Sequence, residues 1–288
     1  MTIDMKKVLH LGAFCLFIFL FFATAFTSGG CRTLPHDIYE QSKHEFHNQN
    51  SQEADYNNEA VAGARTVTNF SQLNNGLIWM FPGVFNVGSF YRPAVRAMRD
   101  LGVNSEILKY EWPLTMCGLI NLMNHKKNRE EAARVATEIV KYSREYPGRP
   151  IDLVGYSGGA YVAVAVAESL PDDVKLRHVI MVHPAISCTY DLSNALHHIN
   201  GKIINYYSRR DWLILGVGTL IFGTMDRGNT ISAGNKGFQA DMALSDISLR
   251  SRLEQHELNK KILGGGHLTI NSYKSHKEHI AVNLLSNH

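Results

Sequence analysis

Residues 151–170 read IDLVGYSGGAYVAVAVAESL, and their interpretation decides how the rest of the chain is arranged. Ile151-Asp152-Leu153-Val154 is a short apolar run released from the breakers Pro147, Gly148 and Pro150, the pattern of a buried strand. From Ala160 onward alanine and valine dominate with no turn signal before Pro171, which suits a helix packed closely on a sheet. Between them stands Gly155-Tyr156-Ser157-Gly158-Gly159, a G-x-S-x-G pattern. Glycines two before and two after the serine remove side chains that would strike the adjoining strand and helix. A sharp turn there lifts the serine hydroxyl off the sheet edge, and the first N–H groups of the helix face any negative charge that forms beside it. The plainer reading is a serine in a glycine-rich turn that performs no chemistry, so the remainder of the chain must decide.

Working outward, Leu77-Ile78-Trp79-Met80-Phe81 is an apolar strand that ends at Pro82-Gly83. Tyr91 to Leu101 carries Val95, Met98 and Leu101 at helical spacing before Gly102, and Glu106 to Trp112 reads as the next strand. Residues 113–127 (PLTMCGLINLMNHKK) either line a pocket or pack on the core, the latter being favoured. Arg129 to Tyr146 is an amphipathic helix with Ala133, Ala136, Ile139 and Val140 on one side. Val179 to Val182 and Lys202 to Tyr207 are further strands, ended by His183-Pro184 and by Ser208-Arg209-Arg210-Asp211. Four or five strands alternating with helices predict an α/β domain over residues 65–288, its mostly parallel sheet covered on both faces. In such sheets sites gather beyond the carboxyl ends of the strands, where Ser157, Asp211 and the loop at Val84 all fall.

A serine hydroxyl is a weak nucleophile at neutral pH and needs a base within hydrogen-bond reach, which itself needs a group to fix its tautomer. Asp211 lies 54 residues after Ser157, and His267, in Gly264-Gly265-Gly266-His267, lies 56 residues further on. On these residues the chain resembles the α/β-hydrolase fold serine hydrolases of esterase or lipase type, over roughly residues 75–285. The likeness rests on GYSGG, the FPGV turn, SRRDW after a strand and GGGHL near the C-terminus. It implies Ser157 as nucleophile, His267 as general base and acid, and Asp211 as its orienting carboxylate, in the family's chain order. It also implies backbone N–H donors to an oxyanion from Gly158 and Val84, with Phe85 the fallback, and Gly155 and Gly159 as the glycines of the nucleophile elbow. Where the family carries His-Gly before the oxyanion loop, this chain has Pro82-Gly83. The expected substrate is a small-molecule or lipid ester.

Each partner has rivals. His276 and His279 sit in a charged KSHKEH stretch that reads as a solvated helix start, and His183 ends a strand ahead of the acid in chain order. Asp191 and Asp226 compete with Asp211, but neither directly follows a clear strand. Residues 212–240 are apolar and glycine-rich, either a flap over the site or a broken core helix. An acyltransferase or amidase would use the same triad, and a non-catalytic binding protein on the same fold is the reading of another class.

The chain has 288 residues, 45% of them hydrophobic and 19% charged, enough for one large domain with its own core. A net charge of +3 gives no stripe for nucleic acid. No metal-ligand spacing, phosphate loop or dinucleotide fingerprint appears, so neither metal nor cofactor is expected. Residues 1–30 differ in kind: Lys6 and Lys7 precede an apolar run from Val8 to Phe26, then Thr27-Ser28-Gly29-Gly30-Cys31, the layout of an export signal or membrane anchor. The small residues before Cys31 resemble a bacterial lipoprotein signal, with Ser28 where an aliphatic residue is usual, which implies lipidation at Cys31 and a place in the cell envelope. Residues 31–64 are polar and read as a solvated tether, its histidines His36, His44 and His47 included. Cys117 and Cys188 read as separately buried thiols in preference to a disulfide.

Overall fold

Six parallel strands form one sheet in the order β2-β1-β3-β4-β5-β6. They are β1 (Leu77–Phe81), β2 (Glu106–Lys109), β3 (Ile151–Tyr156), β4 (His178–Val182), β5 (Ile203–Tyr207) and β6 (Leu253–Glu257). The computed structural model describes residues 70–83, 90–110, 125–209, 224–226, 231–258 and 272–285. All of them fall in one of the chain's two units, Tyr56–Pro113 with Gly118–His288.

Alternation along the strands divides the core into two layers. Leu77, Trp79, Phe81, Leu153, Val179 and Met181 face one side, where they meet α2 (His125–Glu145), α3 (Gly158–Glu168) and α4 (Ser193–His197). Ile78, Met80, Val154, Tyr156, Ile180 and Val182 face the other, against α1 (Tyr91–Asp100) and the C-terminal helical residues 273–284. Helix α3 is buried on every side from Gly158 to Ala167, which its run of alanine and valine permits by letting the backbone approach the sheet.

The chain leaves β1 for β2 on one side and returns past β1 to β3 on the other. The sheet therefore reverses its winding between β1 and β3, and in an open parallel sheet the crevice at such a reversal is where sites form. The exits of β1, at Pro82-Gly83, and of β3, at Ser157, adjoin it.

Two expectations are corrected. Helix α2 begins at His125, four residues before Arg129, because His125 anchors its first turn through a 2.6 Å hydrogen bond between its Nε2 and the Tyr161 hydroxyl. The sixth strand, LEQHE, escapes a search for apolar runs because it lies at the sheet edge, half-exposed along most of its length. Within residues 212–240, Met225, Ala233 and Phe238 are buried in the core. Cys188 is a buried free thiol.

Candidate active site

Ser157 stands between β3 and α3 with φ 53° and ψ −123°, a conformation that side chains rarely adopt. Three main-chain hydrogen bonds hold it there. Its N–H donates to the Val182 carbonyl at 2.9 Å, and its carbonyl accepts from Ala160 and from Ala185, both at 3.1 Å. The serine is partly exposed while Tyr156 and Gly158 on either side are buried, so the turn presents this residue and hides its neighbours.

The glycines are required by space. A methyl group on Gly155 would come within 2.5 Å of the Ala160 Cα. One on Gly159 would overlap the carbonyl oxygens of Phe81 and Pro82, the last residues before the Gly83 turn. Helix α3 thus starts directly against the end of β1. A side chain on Gly83 would meet the Tyr156 ring at 3.3 Å and the Ser157 Cβ at 3.5 Å. The Pro82-Gly83 turn therefore lies beside the serine.

The structure places Ser157, Gly155, Gly158 and Gly159 together at the rim. Val84, with its fallback Phe85, Asp211, His267 and Cys31 lie outside the described residues. Strand β5 ends at Tyr207, four positions before Asp211, and its exit shares the rim with Ser157. Strand β6 ends at Glu257, ten positions before His267.

The rivals are placed. Asp226 accepts the Ser187 N–H at 2.9 Å, and Asp191 accepts N–H groups from Ser193 at 2.9 Å and Ser245 at 3.2 Å. These bonds outweigh partial burial and hold the Asp191 carboxyl down to about 2. Both carboxylates brace loops. His183 is buried with φ 47° and directly follows β4, and its N–H donates to the Tyr206 carbonyl at 2.8 Å. Two side-chain-bearing residues with positive φ, Ser157 and His183, thus stand at adjacent strand exits.

His276 corrects the sequence reading most. It is 0% exposed, and burial alone pulls its imidazole down to about 4. Its ring packs edge-on against Phe90 at 5.0 Å, and Phe90 stacks on Tyr156 at 4.8 Å. The signal was present in the four-residue spacing of His276, Ile280 and Leu284, a buried helical stripe that the flanking charges disguised. His279 is half-buried, and its carbonyl accepts the Tyr206 hydroxyl at 2.6 Å. Among the described residues no cluster of three or more His, Cys, Asp or Glu could hold a metal ion, and no helix is long and apolar enough to cross a membrane.

A parallel sheet wound both ways about β1, with a strained serine at the strand-to-helix turn beside the reversal, is the α/β-hydrolase fold. A family model described as "Protein of unknown function (DUF726)" matches residues 103–257, more than half of the 288, and the chain belongs to that family. Among curated protein sequences none matches this one. Of solved structures, lipase B of Aspergillus fumigatus is similar at 12% identity and a TM-score of 0.45, over 76% of this chain and 56% of that chain. The chain thus spans little more than half of that lipase. An esterase of Pyrococcus furiosus is similar at 13% identity and a TM-score of 0.45, over 73% of this chain and 81% of that one. The esterase domain of a Rhodothermus marinus protein is similar at 13% identity and a TM-score of 0.43, over 78% and 93%.

Proposed function

We propose that the chain is a serine hydrolase that cleaves a carboxylic ester through an acyl-enzyme intermediate. One observation carries this reading: Ser157 is held at φ 53° and ψ −123° on a strand-to-helix turn cleared by Gly155 and Gly159. A non-glycine residue in that conformation costs on the order of 1–3 kcal/mol, which a turn without a task for its side chain would avoid by using glycine.

In the proposed reaction the Ser157 oxygen attacks the ester carbonyl while His267, oriented by Asp211, takes the hydroxyl proton. The tetrahedral oxyanion is held by the N–H of Gly158, at the start of α3, and by the N–H of Val84. Collapse breaks the bond to the alcohol, which leaves with the proton from His267. Water then attacks the acyl group, His267 taking its proton in turn, and the free acid leaves Ser157 regenerated. The position of Asp211 after β5 and of His267 after β6 supports these roles by chain order. The lipoprotein-like segment ending at Cys31 supports placing this activity at the cell envelope on a lipid or small-molecule ester.

A fluorophosphonate probe tests the reading, since it bonds covalently only to an activated serine. Wild-type protein is expected to label and Ser157→Ala to remain unlabelled. Absence of wild-type labelling, or equal labelling of the variant, would refute it.

A further inference from the structure

His276 is buried among apolar residues, and neither of its ring nitrogens has a hydrogen-bond partner among the described residues. Buried polar atoms almost always find partners, so two orphaned nitrogens on one ring need a reason. Leucine would fill the space without that cost, but it could not make the aromatic contact the imidazole makes. The imidazole meets Phe90 at 5.0 Å with the ring planes 75° apart, and Phe90 lies over Tyr156 at 4.8 Å with the planes 12° apart. Tyr156 is covalently joined to Ser157, and its ring also abuts the Gly83 turn. His276 opens a π-helical turn, His276–Ile280, an irregularity common at functional sites.

We propose that His276 is a positioning residue for Ser157, acting through Phe90 and Tyr156 to hold the elbow in its strained conformation. This inference rests on the serine-hydrolase reading. A strained residue persists only where its surroundings over-determine it. The hydrogen bonds to Val182, Ala160 and Ala185 hold the Ser157 main chain, and the stacked rings hold the residue before it. Loss of one ring leaves Tyr156 room to shift, and a displacement of about 1 Å at a nucleophile can lower its rate about a hundredfold.

Among the described residues no ionised neighbour compensates a charge on His276. Helix α1 contributes Arg92, which is exposed, and Arg99, which donates to the carbonyls of Val103 and Ser105. Its Arg96 and Asp100 sit at the half-buried Tyr273, as does Lys277. Lys274 pairs with Glu278, and His279 senses Glu278 and His256. Well above pH 6.5 the ring is neutral whether the protein is folded or not. As pH falls from 6.5 to about 4, the unfolded chain binds a proton there that the folded chain refuses, so the packed state loses stability.

The test compares His276→Ala, His276→Leu and His276→Phe in the full chain, each confirmed folded by circular dichroism. The Ala and Leu variants are expected to label with fluorophosphonate about tenfold or more slowly than wild type, with KM for a short p-nitrophenyl ester unchanged, and Phe to restore most of the rate. Wild-type labelling by any folded variant lacking the ring, or a Phe variant as slow as Leu, overturns the proposal. Should wild type itself not label, the hydrolase reading fails. Ring packing is then judged from urea midpoints at pH 7 and pH 4.5, where wild type is expected to lose more stability than the Phe variant. Equal losses overturn the packing role too.

Discussion

At Ser157 the proposed function is set against stability in a single residue. Substituting it with glycine relieves the positive φ and is expected to stabilise the fold by about 1 kcal/mol relative to Ser157→Ala, which keeps the strain. Thermal unfolding of the two variants checks this, and both should fail to label. The reverse holds for the flanking glycines. Gly159→Ala drives a methyl into the Phe81 and Pro82 carbonyls, and Gly155→Ala drives one into the Ala160 backbone, each with an expected loss of at least 1–3 kcal/mol by urea unfolding. These residues were legible in the sequence because a five-residue pattern encodes a local steric demand. His276 was not, because its burial depends on Phe90, 186 positions away, while its immediate neighbours Lys277 and Glu278 carry the opposite message.

Among the elements, β3 is fixed at its amino end by a charge buried in the sheet. Asp152 is fully buried, and burial pushes its carboxyl up even against the pull of the Arg177 guanidinium. That guanidinium grips both carboxylate oxygens at 2.5–3.1 Å and reaches the Leu284 carbonyl at 3.0 Å, tying β3, the entry to β4 and the C-terminal helical residues together. Arg177→Ala should cost about 3–5 kcal/mol by stranding the Asp152 carboxylate, and the double change Asp152→Leu with Arg177→Met should recover much of that loss. Urea unfolding of the single and double variants measures both. In the sequence Asp152 read as part of an apolar run, since nothing local marks Arg177 as its partner 25 positions on. Strand β6 was hidden for a related reason: a sheet edge needs hydrogen-bonding register more than apolar side chains, so LEQHE looks like loop until Leu253 to Glu257 are seen paired with Ile203 to Tyr207.

For the whole molecule, acid should be the weak direction. Burial lowers His178 and His198 as well as His276, so each refuses a proton that the unfolded chain accepts below about pH 6.5. His276 alone corresponds to about 3 kcal/mol by pH 4. Asp191, held at about 2, adds a further loss below the usual carboxylate range. Urea midpoints followed from pH 7 down to pH 4 should therefore fall steadily, and more shallowly in His276→Phe. The sheet, its two apolar layers and the elbow followed from periodicity and turn chemistry, whereas the acid response follows from which histidines the fold swallows. The Arg177 grip on Leu284 has a practical corollary. It moors the chain's far end at the foot of the sheet, across the domain from Ser157. An affinity handle or surface linker grafted after Leu285 would start from the side facing away from the Ser157 hydroxyl, so immobilised protein should keep that rim of the sheet open to the medium.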